Sequence, residues 1–336
     1  MLKPRVTIVV PTLAADDALG DCLASLERQT WRDFEVVVVD NSGEGAVRRR
    51  HPSGSAVIVE SPRNLGFGGA FNLAYRRSQA ELLATLNDDA MAEPEWLEAL
   101  VRVMESRPDA GMCASSVRLY PDGGMDSAGM LLCGDGSSKQ RGHGCPPVDF
   151  GTEEEALFPS GSAALYRRVM LDQVGLFDED FFLYCEDTDL GLRARWAGWK
   201  CIYVPGARVH HRYSHSAGRA SALKAYYVER NRLFVVWKNF PPMMLARVPF
   251  IAVTRYLWHA LSVIGGQGAA GRFRRDGGNP LMLVWYVIRA HAAAVARLPR
   301  LLRLRRKIRQ QARLTADEFR QLTERHSIGA REVAVQ

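Results

Sequence analysis

The first part of the chain alternates short apolar runs with amphipathic stretches. "VTIVV" (6–10) reads as a strand, stopped by Pro11-Thr12. Residues 17–29 carry apolar side chains at 19, 22, 23 and 26, the spacing of one helix face. "FEVVVVD" (34–40) is an unbroken β-branched run, as expected of a strand covered on both faces. "AVIVE" (56–60) and "LLATL" (82–86) predict two further strands. "GGAFNLAYRRSQ" (68–79) and "EPEWLEALVRVMES" (93–106) predict helices, the second with a proline near its start. Strand and helix in alternation predict a parallel sheet with helices on its faces.

Beyond residue 110 the pattern loosens. Strands are expected around 112–119 and 161–166, flanking a Gly/Ser/Asp-rich stretch (134–144) that reads as a loop or hairpin. A helix at about 187–197 and a strand at 199–205 follow. Past residue 220 the chain reads as helical to its end, which divides it into a region 1–220 and a helical region 221–336. "TADEFRQLTERH" (315–326) opens with the Thr315/Glu318 capping-box pattern.

Charge sharpens this division. Residues 1–240 hold 27 basic and 32 acidic side chains, whereas residues 241–336 hold 17 and 5, so the net charge of +7 belongs to the C-terminal part. Its aromatics lie in apolar stretches and do not alternate with basic residues as base-stacking platforms would, which argues against a nucleic-acid partner. The segments 244–264 and 280–298 are long and apolar but broken by Arg247, Arg255, His259, Arg289, His291 and Arg297, so neither reads as a transmembrane span. "RLLRLRRKIRQQAR" (300–313) carries seven basic residues. Basic amphipathic helices on an anionic membrane surface fit this composition, with packing on the rest of the chain or in a dimer as the alternative. Six scattered cysteines without a Cys-x-x-Cys, and a short N-terminal apolar run, predict a cytoplasmic protein attached to the inner face of the membrane.

Five clusters could carry chemistry. Asp40, Asn41 and Ser42 end a predicted parallel strand, where open α/β sheets bind ligands; an ordinary turn would use the same residues. "NLGFGGAFN" (64–72) places glycines before a helix, but Phe71 stands where a dinucleotide fingerprint needs glycine or alanine. Asn87, Asp88 and Asp89 follow the fourth strand; acids at a strand end suit a divalent cation that also takes phosphate oxygens. Glu186, Asp187 and Asp189 crowd a helix start, and His210, His211 and His215 offer a late metal ligand. Asp189 precedes Arg193 by four residues, the spacing of a helical ion pair, which makes it the structural member of its cluster. Glu186 and Asp187 are neighbours whose repulsion should raise the proton affinity of one of them.

In this order, "VVPT", "VVVVDNS", "NLGFGGAFN", "LNDDA", "VGLFDEDFFLYCEDTDLGLRAR" and "VPGARVHH" resemble a family-2 glycosyltransferase of the GT-A fold, and more narrowly its bacterial rhamnosyltransferase-like branch. The resemblance covers about residues 5–240, and "YYVERNRLFVVWKNFP" (226–241) is also similar to that branch. It implies an α/β fold with a mostly parallel nucleotide-binding sheet and a catalytic domain over 1–220, beside the helical region 221–336 that the charge pattern assigns to a membrane surface. It implies inverting transfer of a sugar from a nucleotide diphosphate, preferably dTDP-rhamnose, onto a saccharide acceptor in cell-wall or surface polysaccharide synthesis; a polyprenyl-diphosphate-linked acceptor suits the basic C-terminal region, with a soluble acceptor as the alternative. Pro11, Thr12, Asp40, Ser42, Asn64, Gly66, Asn87 and Asp88 would lie against the nucleotide and donor sugar. Asp89 and His211 would hold Mg²⁺ or Mn²⁺, with His210 as the competing histidine. Asp187 would be the general base, with Glu186 beside it. The family's Asp-x-Asp pattern is altered here, since Asn87 stands at its first position. A UDP-hexose or UDP-galactofuranose donor is the nearest alternative. A sugar nucleotidyltransferase would need a glycine-rich, basic loop where "PTLAADDALGD" stands, and a non-catalytic nucleotide-sugar-binding protein would have no use for two separate acidic clusters.

Overall fold

The computed structural model describes the chain apart from residues 1–2, 15–16, 52–54, 213–221, 266–267, 276–278 and 336, so His215 lies outside the described residues. Two compact units are present. One comprises Met1–Met130, Gln140–Phe182 and Trp199–Tyr213; the other comprises Leu131–Lys139, Leu183–Gly198 and Ser214–Gln336.

The first unit starts with β1 (Val6–Thr12), α1 (Ala18–Glu27), β2 (Phe34–Asp40), α2 (Ala46–Arg50), β3 (Val57–Glu60), α3 (Gly66–Arg77) and β4 (Leu82–Leu86). It continues through β5 (Ala90–Ala92), α4 (Trp96–Ser106), β6 (Ala110–Leu119) and β7 (Met125–Ser127). The Gly/Ser/Asp-rich stretch forms a hairpin of β8 (Met130–Leu132) and β9 (Ser138–Gln140), most of which belongs to the second unit. Then come β10 (Glu154–Ala156), β11 (Ala163–Arg167) and α5 (Arg168–Val174); α6 (Glu186–Trp196) belongs to the second unit, and β12 (Lys200–His211) returns to the first.

The sheet runs β10-β12-β6-β11-β4-β1-β2-β3, with β5 on β12 and β7 on β6. Strands β3, β2, β1 and β4 are parallel. Beyond β4 the sheet is mixed, because β11 pairs antiparallel with both β4 and β6. No crossover helix brings the chain into β11, and only such crossovers enforce a parallel return. The carboxyl ends of β1, β2 and β4 flank the point where the strand order reverses, the place where open α/β sheets leave a crevice. On one face Val6, Ile8, Val10 and Leu86 pack with Leu19, Cys22 and Leu26 of α1 and Trp96, Leu97 and Leu100 of α4. The other face carries Phe71, Tyr166 and Phe177, set edge to face at 5.0–6.0 Å between ring centroids. Burying each such aliphatic or aromatic side chain contributes about 1.5–3 kcal/mol.

The strand expected at 199–205 extends to His211. Pro205 cannot donate to a ladder, and it lies in a register shift against β6 between Val204 and Arg208. The bulge accommodates the proline, and pairing resumes far enough to set His211 opposite Ala90 of β5.

In the second unit α7 (Ala222–Asn239), α8 (Pro242–Gly265), α9 (Gly268–Arg275), α10 (Pro280–Gln310), α11 (Ala316–Arg325) and α12 (Ala330–Val335) follow in order. Trp196 of α6 stacks on Phe319 of α11 at 4.0 Å and donates its indole N–H to the carbonyl of Asn239. The Thr315/Glu318 capping box is formed at the start of α11. Asp189 is fully buried and takes Arg193 (2.9 Å), Lys238 (2.8 Å) and Asn239 (3.1 Å). The expected helical pair is therefore part of a buried network that ties α6 to α7. A second one joins Asp135 to Arg255, and Glu229 to both Arg232 and Arg255. By length and composition α10 is long and apolar enough to cross a membrane, and little of its apolar stretch is buried.

Candidate active site

The crevice side of the first unit gathers most of the predicted positions. Pro11 and Thr12 end β1, and Thr12 pairs with Asp40 at the end of β2. Thr12 donates its hydroxyl to Asp88 (2.5 Å) and accepts the N–H of Ala14 (2.8 Å), so β1 and the loop after β4 are bound together. Asp40 is fully buried and uses both oxygens locally: one accepts the Ser42 hydroxyl (2.6 Å) and N–H (3.0 Å), the other the Val47 N–H (2.8 Å). Burial alone would raise its pKa, but these donors hold the carboxyl below its ordinary range. Asp40 and Ser42 thus shape the β2–α2 turn.

A second knot lies beside it. Asn41 accepts the Leu65 N–H (2.8 Å) and donates to Asn64 (3.0 Å) and to the Gly66 carbonyl (3.2 Å), while Asn64 accepts the Gly66 N–H (2.8 Å). Gly66 has φ +72°, and a Cβ there would fall 1.9 Å from the Phe182 carbonyl oxygen. Phe67 donates its N–H to that same carbonyl (3.1 Å). The glycine therefore serves a close backbone approach, and the first N–H groups of α3 are taken by the protein itself.

Asn87, Asp89 and His211 meet at the ends of β4 and β12. His211 Nε2 lies 3.2 Å from Asp89 Oδ1 and 3.3 Å from the Asn87 amide nitrogen. Asp89 Oδ1 is buried and faces the imidazole across this 3.2 Å contact. The other ring nitrogen, Nδ1, lies 2.8 Å from Asp126 Oδ2, and Asp126 also meets His143 at 3.2 Å. Burial would lower the His211 pKa, but Asp126 and Asp89 push it up to about 10. The same histidines hold the buried Asp126 carboxyl below its ordinary range against the opposing effect of burial. His210 points to the other side of the strand, where its Nε2 lies 3.1 Å from Glu93. Among the described residues no three His, Cys, Asp or Glu side chains form a ready cation cage. A buried carboxylate oxygen 3.2 Å from an imidazole nitrogen suits a hard divalent cation that would replace the proton between them and complete its shell from a ligand's oxygens.

The second acidic cluster belongs to the other unit. Three bulky residues just before α6 have left-handed backbones: Phe182 (φ +63°), Tyr184 (+71°) and Cys185 (+63°). Each such conformation costs on the order of 1–3 kcal/mol, so the surroundings must impose it. Glu186 and Asp187 open the helix directly afterwards. Glu186 is buried, and its Oε2 has no hydrogen-bond partner among the described residues. Burial, with Asp187 next to it, pushes its pKa up to about 8. Asp187 is half-buried and accepts the N–H (2.6 Å) and hydroxyl (3.3 Å) of Thr188.

Residues 7–175 match the family described as glycosyl transferase family 2. The chain belongs to that family. This glycosyltransferase is 34% identical over 254 residues to the N-acetylglucosaminyl-diphospho-decaprenol L-rhamnosyltransferase of Mycobacterium tuberculosis, covering 66% of this chain and 80% of that protein. Among solved structures it resembles GalNAc-T7 with UDP, GalNAc and Mn²⁺ (TM-score 0.60, 14% identity, 75% of this chain and 51% of that one). It also resembles the mannosyltransferase PcManGT of Pyrobaculum calidifontis with GDP-Man and Mn²⁺ (TM-score 0.51, 17% identity, 89% and 88%). The S. aureus protein TarS with UDP is a third neighbour (TM-score 0.51, 16% identity, 96% and 90%). The fold of the glycosyltransferase is thus of the GT-A type.

Asp126 escaped the reading of the sequence. It is a single acid between Met125 and Ser127 in a three-residue strand, with no spacing that links it to His211, 85 residues away. Only the pairing of β7 with β6, and of β6 with β12, brings the two together.

Proposed function

We propose that this glycosyltransferase moves rhamnose, with inversion, from dTDP-rhamnose onto a lipid-linked saccharide whose sugar is carried on a diphosphate. The observation that carries this reading is the 34% identity, over most of its length, to an enzyme named for rhamnosyl transfer to N-acetylglucosaminyl-diphospho-decaprenol. In the proposed site Thr12, Ser42, Asn64, Gly66 and the Asn87–Asp88 pair line the nucleotide and donor sugar, with Pro11 closing the end of β1 and the buried Asp40 holding the β2–α2 turn that presents Ser42. Asp89 and His211 would hold Mg²⁺ or Mn²⁺; solved neighbours with Mn²⁺ support this, as does the buried Asp89–His211 pair at the strand ends. When bound, the cation would neutralise charge growing on the departing diphosphate.

Asp187 is the proposed base. Glu186 is buried, with its pKa pushed up to about 8, whereas Asp187 is the more accessible of the two carboxyls. At the start of α6 a charge on Asp187 is also favoured by the helix dipole. In the reaction the acceptor hydroxyl gives its proton to an Asp187 oxygen as its own oxygen bonds to the anomeric carbon, and the bond to the diphosphate breaks on the opposite face.

A lipid-linked acceptor requires access to a bilayer. In α8 the side chains of Phe250, Val253, Leu257 and Leu261 are exposed, as are Leu281, Val284, Trp285 and Ile288 in α10. No acidic residue occurs in either helix, and the basic run lies in the second half of α10. We read these helices as seated on the cytoplasmic leaflet. The test of the donor is a calorimetric panel of nucleotide sugars with Mn²⁺. Binding of dTDP-rhamnose with little affinity for UDP-glucose or UDP-galactofuranose is expected; the reverse order would overturn the donor assignment.

A further inference from the structure

α7 carries a residue whose geometry none of the motifs explains. Asn231 is fully buried, and its amide nitrogen donates to two successive carbonyls, those of Leu183 (2.8 Å) and Tyr184 (2.7 Å). Its Oδ1 accepts the Arg230 Nε–H (2.9 Å), which fixes the amide so that both N–H groups point at the loop. Those carbonyls belong to the left-handed stretch that leads into Glu186 and Asp187. Bulky residues do not hold such backbones unaided, and here one side chain donates to two adjacent peptide oxygens of that stretch. Asparagine suits this position by chemistry. Aspartate has no N–H to donate when ionised, serine has one donor, and alanine none.

We propose that Asn231 is a positioning residue for transfer: by holding the Leu183 and Tyr184 carbonyls it fixes the left-handed elbow that sets the direction in which Asp187 leaves the start of α6. The inference rests on the reading of Asp187 as the base. A base acts only within hydrogen-bond reach of the hydroxyl it deprotonates, so a shift of about 1 Å costs on the order of 10²-fold in rate. The elbow is set from outside its own sequence, which is why a residue 44 positions downstream of Asp187 enters the chemistry.

The control is Asn239, the other fully buried asparagine of α7, which donates to Asp189 and supports α6 further along. Full-length Asn231→Ala, Asn231→Ser, Asn239→Ala and Asp187→Asn proteins are compared for melting temperature, donor affinity by calorimetry and transfer. The donor is the sugar nucleotide that the unaltered protein accepts in the panel above; the acceptor is a synthetic N-acetylglucosaminyl-diphospholipid. Asn231→Ala should lose about 10²-fold in kcat with donor affinity retained, and Asn231→Ser less, since one donor remains. Asn239→Ala should keep kcat within a few-fold at a comparable drop in melting temperature. The positioning role is overturned if Asn231→Ala and Asn239→Ala lose kcat equally, if Asn231→Ala keeps its kcat, or if neither Asn231 variant folds. Normal turnover by Asp187→Asn would instead overturn the assignment of the base.

Discussion

His211 Nδ1 and Asp126 Oδ2 lie 2.8 Å apart, so the imidazole presents its other nitrogen to Asp89 in a fixed orientation. A carboxylate behind a ligating histidine fixes its tautomer and raises its basicity, and losing such a partner typically costs about 10–100-fold in metal affinity. Asp126→Asn should therefore weaken Mn²⁺ binding by about that factor, read by titration in the presence of dTDP. Asp89→Ala and His211→Ala should remove it. Unchanged Mn²⁺ affinity in Asp126→Asn would detach this pair from cation binding.

Glu186 gives a prediction about stability. Its folded pKa of about 8 lies above the ordinary glutamate value, so the folded protein holds a proton that the unfolded chain has released. Stability from this group is full below about pH 4.5 and is lost as pH rises through about 8, with a slope of at most about 1.4 kcal/mol per pH unit. Glu186→Gln stays neutral at every pH. Its advantage over the unaltered protein should grow between those limits and level off above them, as denaturant titrations at pH 5, 7 and 9 would show. A constant difference would mean that the carboxyl titrates normally.

For Asp187 the expectation is kinetic. Asp187→Asn should lower transfer by about 10²-fold or more, the usual cost of a lost general base, while donor affinity persists. Glu186→Gln should retain substantial turnover. A dead Glu186→Gln beside an active Asp187→Asn would move the base one residue upstream.

Flotation with vesicles tests the basic helices. The protein should rise with phosphatidylglycerol vesicles at low salt and be released as salt screens the attraction, each basic residue at the surface contributing about 1 kcal/mol. Replacing Leu281, Val284, Trp285 and Ile288 by serine should weaken attachment even at low salt. Indifference to anionic vesicles would leave these helices as packing elements.

Much of the fold was legible because both signals behind it are local. The apolar runs at 6–10, 34–40 and 82–86 and the helix face at 19, 22, 23 and 26 are found as strands β1, β2 and β4 and helix α1. The end of β12 was misjudged, since Pro205 normally stops a strand and only the partner strand reveals the bulge that admits it. Short strands such as β5 and β7 have no periodicity to detect, although β5 places Asp89 beside His211. The clusters at 87–89 and 186–189 were visible as runs of acid. Asp126 and Asn231 were not, because each acts on a partner distant in sequence through a strand pairing or a buried amide that composition does not encode.

The buried anchoring of α6 bears on how the chain can be shortened. Asp189 is paired with Lys238 as well as Arg193 and accepts a hydrogen bond from Asn239, and Trp196 is covered by Phe319 and bonded to Asn239. A fragment ending near residue 220 would retain every residue proposed for the nucleotide and the cation. It would also strip α6 of the helix that compensates its buried charge, exposing an uncovered tryptophan and a carboxylate left with one partner. Such a fragment should retain donor binding yet expose apolar surface and aggregate, so a minimal active enzyme has to be sought by trimming loops and not by removing the C-terminal helices.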